Sequence, residues 1–121
     1  MTIDRFTDLL EELVDDLPEA IFQDLNGGII VEEELKVHPE AADLLVLGVY
    51  ERTILGGCIR LYYGSFTGKL GGAPELLYKA EMKATLYHEF THHLEYLGGA
   101  DDLAVQDIHE LEEFRNRSLN E

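Results

Sequence analysis

An α+β fold, a short and mostly antiparallel sheet packed with helices, is predicted by three features of the chain. Phe6, Leu9, Leu10, Leu13, Val14 and Leu17 recur at helical spacing near the N-terminus. Three apolar runs then follow one another between Ile29 and Phe66. From Pro74 onward the pattern returns to helical spacing and stays there. Strands in succession, joined by short connections and flanked by helices, predict an antiparallel meander with helices on one face.

Each element has its own warrant. Ile3 to Leu17 reads as an amphipathic helix that Pro18 ends, followed by a short helical turn through Ile21, Phe22 and Leu25. Asn26-Gly27-Gly28 is a turn signal. A first strand begins at Ile29-Ile30-Val31 and runs towards Val37, where His38-Pro39 interrupts it. Leu44 to Tyr50 is apolar without alternation, the pattern of a strand covered on both faces. Glu51 to Gly57 reads as a hairpin connection. Cys58 to Phe66 alternates, with Ile59, Leu61 and Tyr63 on one side and Arg60 and Tyr62 on the other, as in a half-buried strand. A long helix follows, opened by Gly71-Gly72-Ala73-Pro74-Glu75 and closed by Gly98-Gly99. Its predicted buried stripe is Leu77, Ala80, Ala84, Tyr87 and Leu94. A last helix from about Asp102 to Arg117 buries Val105, Ile108, Leu111 and Phe114.

With 121 residues the chain reads as a single domain over residues 1–121, with no internal repeat, linker or low-complexity tract. Its one cysteine, Cys58, lies in an apolar run and reads as a small core residue. The first residues lack the basic and apolar regions of a signal peptide, and no apolar run approaches a membrane span, so a cytoplasmic protein is expected. A formal net charge of −16 repels nucleic-acid phosphates and anionic membranes, and neither is an expected partner. Glu32-Glu33-Glu34 and Glu110, Glu112 and Glu113 read as solvated faces.

The chemistry is carried by His88-Glu89-Phe90-Thr91-His92, an HExxH string inside the long helix. A shuffled chain of this composition yields that string in roughly two cases per hundred, so its helical setting carries the argument. Histidines four apart share a helix face, where two imidazoles can converge on one Zn²⁺. Glu89 then stands beside a zinc-bound water as its general base and, later, as the acid for the leaving group. His93 points about 100° away from His92 and faces a neighbouring helix or solvent rather than the metal. His38 and His109 have no spacing that recommends them, and Tyr63 reads as a core or surface tyrosine. Gly64 to Lys69 resembles a phosphate loop only superficially, because its spacing is one residue short and Leu70 stands where Ser or Thr would be needed.

A catalytic zinc usually takes three protein ligands. Glu95 lies on the metal strip, but its backbone is about 7.5 Å further along the axis, and orienting His92 suits it better. Asp101 and Asp102 follow the double glycine, which can turn the chain back over the site. Asp102 also suits the N-cap of the last helix. The metal set is therefore His88, His92 and a carboxylate, with Asp102 placed ahead of Asp101 and Glu95.

The string His88-Glu89-Phe90-Thr91-His92-His93, the helix end at Leu17-Pro18, the Tyr62-Tyr63-Gly64-Ser65-Phe66 strand and the position of the motif helix resemble a small bacterial zincin-like metallopeptidase family. That resemblance implies a minimal zincin-like domain in which an HExxHH helix packs with a short sheet. In the related Asp-zincin pattern, HExxHxxGxxD, the aspartate is the third ligand. Here Glu95 stands at the glycine position and Gly98 at the aspartate position. Gly99-Ala100-Asp101-Asp102 repeats the pair about one turn later, so the resemblance carries the third ligand to Asp102 through that shift.

The leading functional expectation is a zinc metallopeptidase, hydrolysing peptide or protein substrates laid along the third strand by strand addition. The alternative is a non-catalytic binding protein on the same scaffold, with a structural metal or none. A metal-dependent RNA hydrolase fits the charge poorly.

Overall fold

Thr2 starts the first helix by accepting a hydrogen bond from the Arg5 N–H at 3.1 Å. In the computed structural model, which describes the backbone of residues 1–98 and 101–117 and the side chains of 1–98 and 109–117, this helix is α1 (Ile3–Asp15). It buries Phe6, Leu9, Leu10 and Leu13, the face predicted from spacing. Pro18 is extended, and a 3-10 turn over Glu19–Phe22 then buries Ile21.

Five strands follow: β1 (Gly28–Glu32), β2 (Val37–His38), β3 (Ala41–Leu45), β4 (Gly48–Thr53) and β5 (Gly56–Tyr62). The three-stranded sheet has the order β1-β5-β4, while β2 and β3 form a separate ribbon. β4 and β5 pair antiparallel, from Gly48 opposite Leu61 to Thr53 opposite Gly56. β1 pairs with β5 in parallel, from Gly28 opposite Cys58 to Glu32 opposite Tyr62. The α+β class holds, but the simple meander does not, because the ribbon and β4 intervene before the chain returns beside β1.

Three strand boundaries differ from expectation. The first strand stops at Glu32, well short of Val37. Leu44–Tyr50 divides at Val46–Leu47, half serving the ribbon and half the sheet, and Leu44 is exposed rather than covered on both faces. The third strand ends at Tyr62, because Tyr63 begins α2 (Tyr63–Leu70). Gly64 is needed there: a Cβ would lie 2.5 Å from the Leu35 nitrogen. The Gly64–Lys69 stretch is thus helix, not loop.

Alternation separates the two faces of the sheet. Ile59 and Leu61 are buried and Ile29, Val31 and Tyr50 pack against the core. On the opposite face Arg60 bridges Glu32 at 2.5 Å and Glu51 at 3.3 Å. Helix α3 (Glu75–Leu97) packs across the core, followed by α4 (Asp101–Asn116). The stripe that α3 buries is Tyr78, Met82, Leu86 and Phe90, with Leu94. Of the predicted stripe only Leu94 is fully buried; Ala80 and Tyr87 are half-buried, while Leu77 and Ala84 are exposed. The predicted stripe runs through Leu77, whereas the buried residue is its neighbour Tyr78, whose hydroxyl donates to the Gly71 carbonyl at 2.5 Å. Leu111 and Phe114 of α4 are buried as expected, whereas the side chains of Val105 and Ile108 lie outside the described residues. The buried Lys83 donates to the Arg117 carbonyl at 2.6 Å and helps tie α4 to α3. Among the described residues, no helix is long and apolar enough to cross a membrane.

Gly48 sets how closely β4 approaches α3. A Cβ there would lie 2.7 Å from Thr85 Cγ2 and 3.0 Å from Leu61 Cδ2. Gly48→Val is expected to lower stability by about 1–3 kcal/mol through overpacking. Urea denaturation checks this; an unchanged midpoint would mean that β4 is not held against α3.

Candidate metal centre

The α3 segment Ala84–His92 presents two surfaces at once. Leu86 and Phe90 are buried, which leaves His88 and His92 on the exposed side, one turn apart. Their rings meet edge to face with centroids 4.7 Å apart. The two Nε2 atoms are 3.2 Å apart. Two nitrogens bound at 2.0–2.1 Å to one tetrahedral zinc stand about 3.3–3.4 Å apart, so this donor pair already has the spacing of a tetrahedral edge. Nδ1 of His92 faces Glu95 Oε1 at 3.3 Å. This contact favours a proton on Nδ1, which leaves Nε2 as an acceptor facing His88 Nε2. Glu95 thus touches the back of a histidine, the orienting position read from the sequence.

Glu89 completes the cluster. One donor atom from each of His88, Glu89 and His92 lies within 4.8 Å of the others, an arrangement compatible with a zinc-binding site. Glu89 is only 6% exposed. Burial raises its carboxyl to about 7, partly offset by attraction to His92. A cation held by the imidazoles would pull the same group back towards the carboxylate.

A cleft of about 400 Å³ opens beside these residues. His88, Glu89, Ala84 and Thr85 line one wall, and the Leu44–Gly48 segment lines the other. His38 and Lys69 also reach it. His38, which spacing did not recommend, is brought there by the ribbon, and its Nδ1 accepts from the Glu40 N–H at 3.1 Å. The cleft wall corrects the expected substrate edge. The third strand, β5, is the central strand, flanked by β1 and β4, and has no open edge. The chain beside the motif helix is instead Leu44–Gly48, leading into the outer strand β4.

His93 turns inward, as a buried hub rather than a contact to a helix or to solvent. It is fully buried. Its Nε2 lies 2.8 Å from the Gln23 carbonyl, so that nitrogen must donate. Nδ1 then accepts from the Tyr50 hydroxyl at 2.6 Å. Arg52 donates to the same hydroxyl at 3.1 Å, pairs with Asp24 at 2.9 Å and stacks 3.5 Å over the Tyr96 ring. Burial lowers the His93 pKa, opposed by the bond to Gln23. The doubled histidine was the only sequence signal for this network. Nothing in the spacing connected it to Tyr50 or Gln23.

The remaining candidates are placed as follows. Asp101 and Asp102 open the backbone of α4, but their side chains lie outside the described residues. Tyr63 donates its hydroxyl to the Met1 carbonyl and does not line the cleft beside Glu89. His109 is exposed on α4 and pairs with Glu113 at 3.1 Å. Cys58 is buried, which raises its thiol pKa.

Among solved structures, the chain matches a conserved hypothetical protein (TTHA0227) from Thermo thermophilus, with 34% identity and a TM-score of 0.73. The match covers 83% of this chain and 100% of that one. No family model matches the sequence, and no curated protein does so.

Replacing Tyr50 by Phe keeps the ring but removes the donor to His93 Nδ1. The expected loss of stability is about 1–3 kcal/mol, the penalty for an unsatisfied buried acceptor. Thermal or urea denaturation of Tyr50→Phe tests it, and wild-type stability would show that His93 finds another partner.

Proposed function

The chain belongs to the same family as that conserved hypothetical protein from Thermo thermophilus, and for this member we propose zinc-dependent hydrolysis of peptide bonds in the cytoplasm. One observation carries the reading. Two imidazole nitrogens 3.2 Å apart and the carboxyl of a buried glutamate meet at the mouth of a cleft walled by an extended segment.

We assign His88 and His92 as metal ligands through Nε2, with Glu95 holding the His92 ring from behind. Asp102, in the first turn of α4, is our third ligand. When bound, zinc supplies a Lewis acid and a water that ionises near neutral pH. The protein's own part is proton handling and positioning. Glu89 takes the proton from the attacking water and returns it to the departing amine. With a cation bound, Glu89 is drawn towards the carboxylate, the form that accepts a proton from water. The Leu44–Gly48 segment and the Ala84–Thr85 stretch of α3 both line the cleft, which a peptide can enter beside His88 and Glu89. The apolar lining at Leu44, Leu45 and Leu47 suits peptides with apolar side chains near the cleaved bond.

Elemental analysis of untagged protein should find one zinc per chain, absent from a His88→Ala, His92→Ala double variant. Glu89→Gln should retain the metal and lose at least about a hundredfold in peptide cleavage; unchanged cleavage would refute the assigned base. Glu95→Gln is expected to weaken zinc affinity about tenfold through loss of ring orientation. Asp102→Asn should weaken it more than Asp101→Asn does, and the reverse order would move the third ligand to Asp101.

A further inference from the structure

The sheet has two outer strands, and they are protected differently. β4 carries Glu51 and Arg52, and Arg52 lies over Tyr96 of α3. β1 is Gly-Ile-Ile-Val-Glu, all five residues half-exposed. Its one charge, Glu32, is taken up by Arg60 on the side towards β5. Among the described residues no strand pairs with its outer edge. Natural edge strands are normally blunted by charge, proline, bulges or a covering element. A short β-branched strand with none of these is a template for one more strand.

Beside that edge lies a groove of about 450 Å³ between α1 and β1. Leu10, Val14, Phe22, Ile29 and Val31 give it an apolar floor. A strand added next to β1 would send every second side chain into this groove, alongside Ile29 and Val31. The charged groups lining it are Glu11 and Asp15, one turn apart on α1 and both exposed. Their neighbours on the helix are engaged: Glu12 with Arg5 and Lys79, and Asp16 with Arg117. Glu11 and Asp15 have no such cation among the described residues.

We infer that the α1–β1 groove is a docking site for an extended segment of a partner protein that alternates apolar and basic residues. Such a segment adds to the outer edge of β1, seats its apolar side chains on Leu10, Val14 and Phe22, and meets Glu11 and Asp15 with lysine or arginine. The charge works against the simplest competitor, a second copy paired edge to edge. A two-fold axis there would bring the Glu11 and Asp15 carboxylates of both copies together, in a chain already at −16. The groove adjoins β1 and the metal centre faces the β4 side, so the inference stands independently of the hydrolytic reading.

The test uses the full chain and a short fluorescein-labelled peptide alternating lysine and valine, with a glutamate–valine peptide as its counterpart. Fluorescence anisotropy should show saturable binding of the basic peptide only. A Glu11→Lys, Asp15→Lys variant should weaken it at least about tenfold, roughly 1.4 kcal/mol. A Glu40→Lys, Glu112→Lys variant, with the same change in net charge at exposed sites elsewhere, should bind within about twofold of wild type. Bound peptide should slow hydrogen exchange at the amides of Gly28–Glu32. Equal weakening in both variants, or no protection in β1, would reduce the effect to general attraction by an acidic surface and overturn the site. Absence of binding, or a concentration-dependent dimer that protects β1 by itself, would overturn it as well.

Discussion

The rotation of α3 about its own axis is the constraint on which the site depends. One residue is a 100° step, so a slip of one position would turn the buried stripe by more than a quarter of the helix circumference and carry the histidines away from the cleft. Tyr78, Met82, Leu86 and Phe90 anchor the inner surface, and the helix can then hold His88 and His92 only on the outer one. Apolar burial is not directional, and by itself it would tolerate some rotation. Directional bonds narrow the choice. His93 reaches both the Gln23 carbonyl and the Tyr50 hydroxyl, which pins the residue next to His92 from two sides. Gly57 allows this, since a Cβ there would come within 2.7 Å of the Tyr50 hydroxyl.

Backbone contact then places the cleft. Gly48 lets the start of β4 press on Thr85, one turn before Glu89 on the same helix. The extended stretch leading into β4 therefore passes within reach of the motif instead of being held off by a side chain. Glu89 lies at the boundary between core and cleft, which is why its carboxyl is buried and its pKa raised. The same packing that stabilises the helix sets the electrostatics of the glutamate.

The two outer strands also divide the molecule into separate working surfaces. The β4 side carries the imidazole pair and the cleft, and Arg52 of that strand makes its cation–π contact with Tyr96 of α3. The β1 side carries no chemistry-bearing cluster among the described residues, but has an open edge over an apolar groove. A strongly acidic surface serves both, since it discourages self-association and phosphate-rich partners while leaving basic segments free to approach.

Local sequence identified α1 and its buried face, the limits of α3, the His88–Glu89–His92 triplet and the nearness of Glu95 to His92, because each rests on contacts within a few residues of one helix. It misassigned the stripe on α3, because Leu77 and Tyr78 are both apolar enough to be buried and only the packing partners choose between them. It read the run Leu44–Tyr50 as one strand, since hydropathy does not record that a chain changes sheets at Val46–Leu47. The arrival of His38 at the cleft was likewise out of reach, as were the parallel partner of β5 and the Tyr50–His93–Gln23 bonds. The last two join residues 30 to 70 positions apart. Local sequence determined which surfaces each element offers; tertiary packing, where backbones approach closely only at glycines such as Gly48, Gly57 and Gly64, decided which of those surfaces meet.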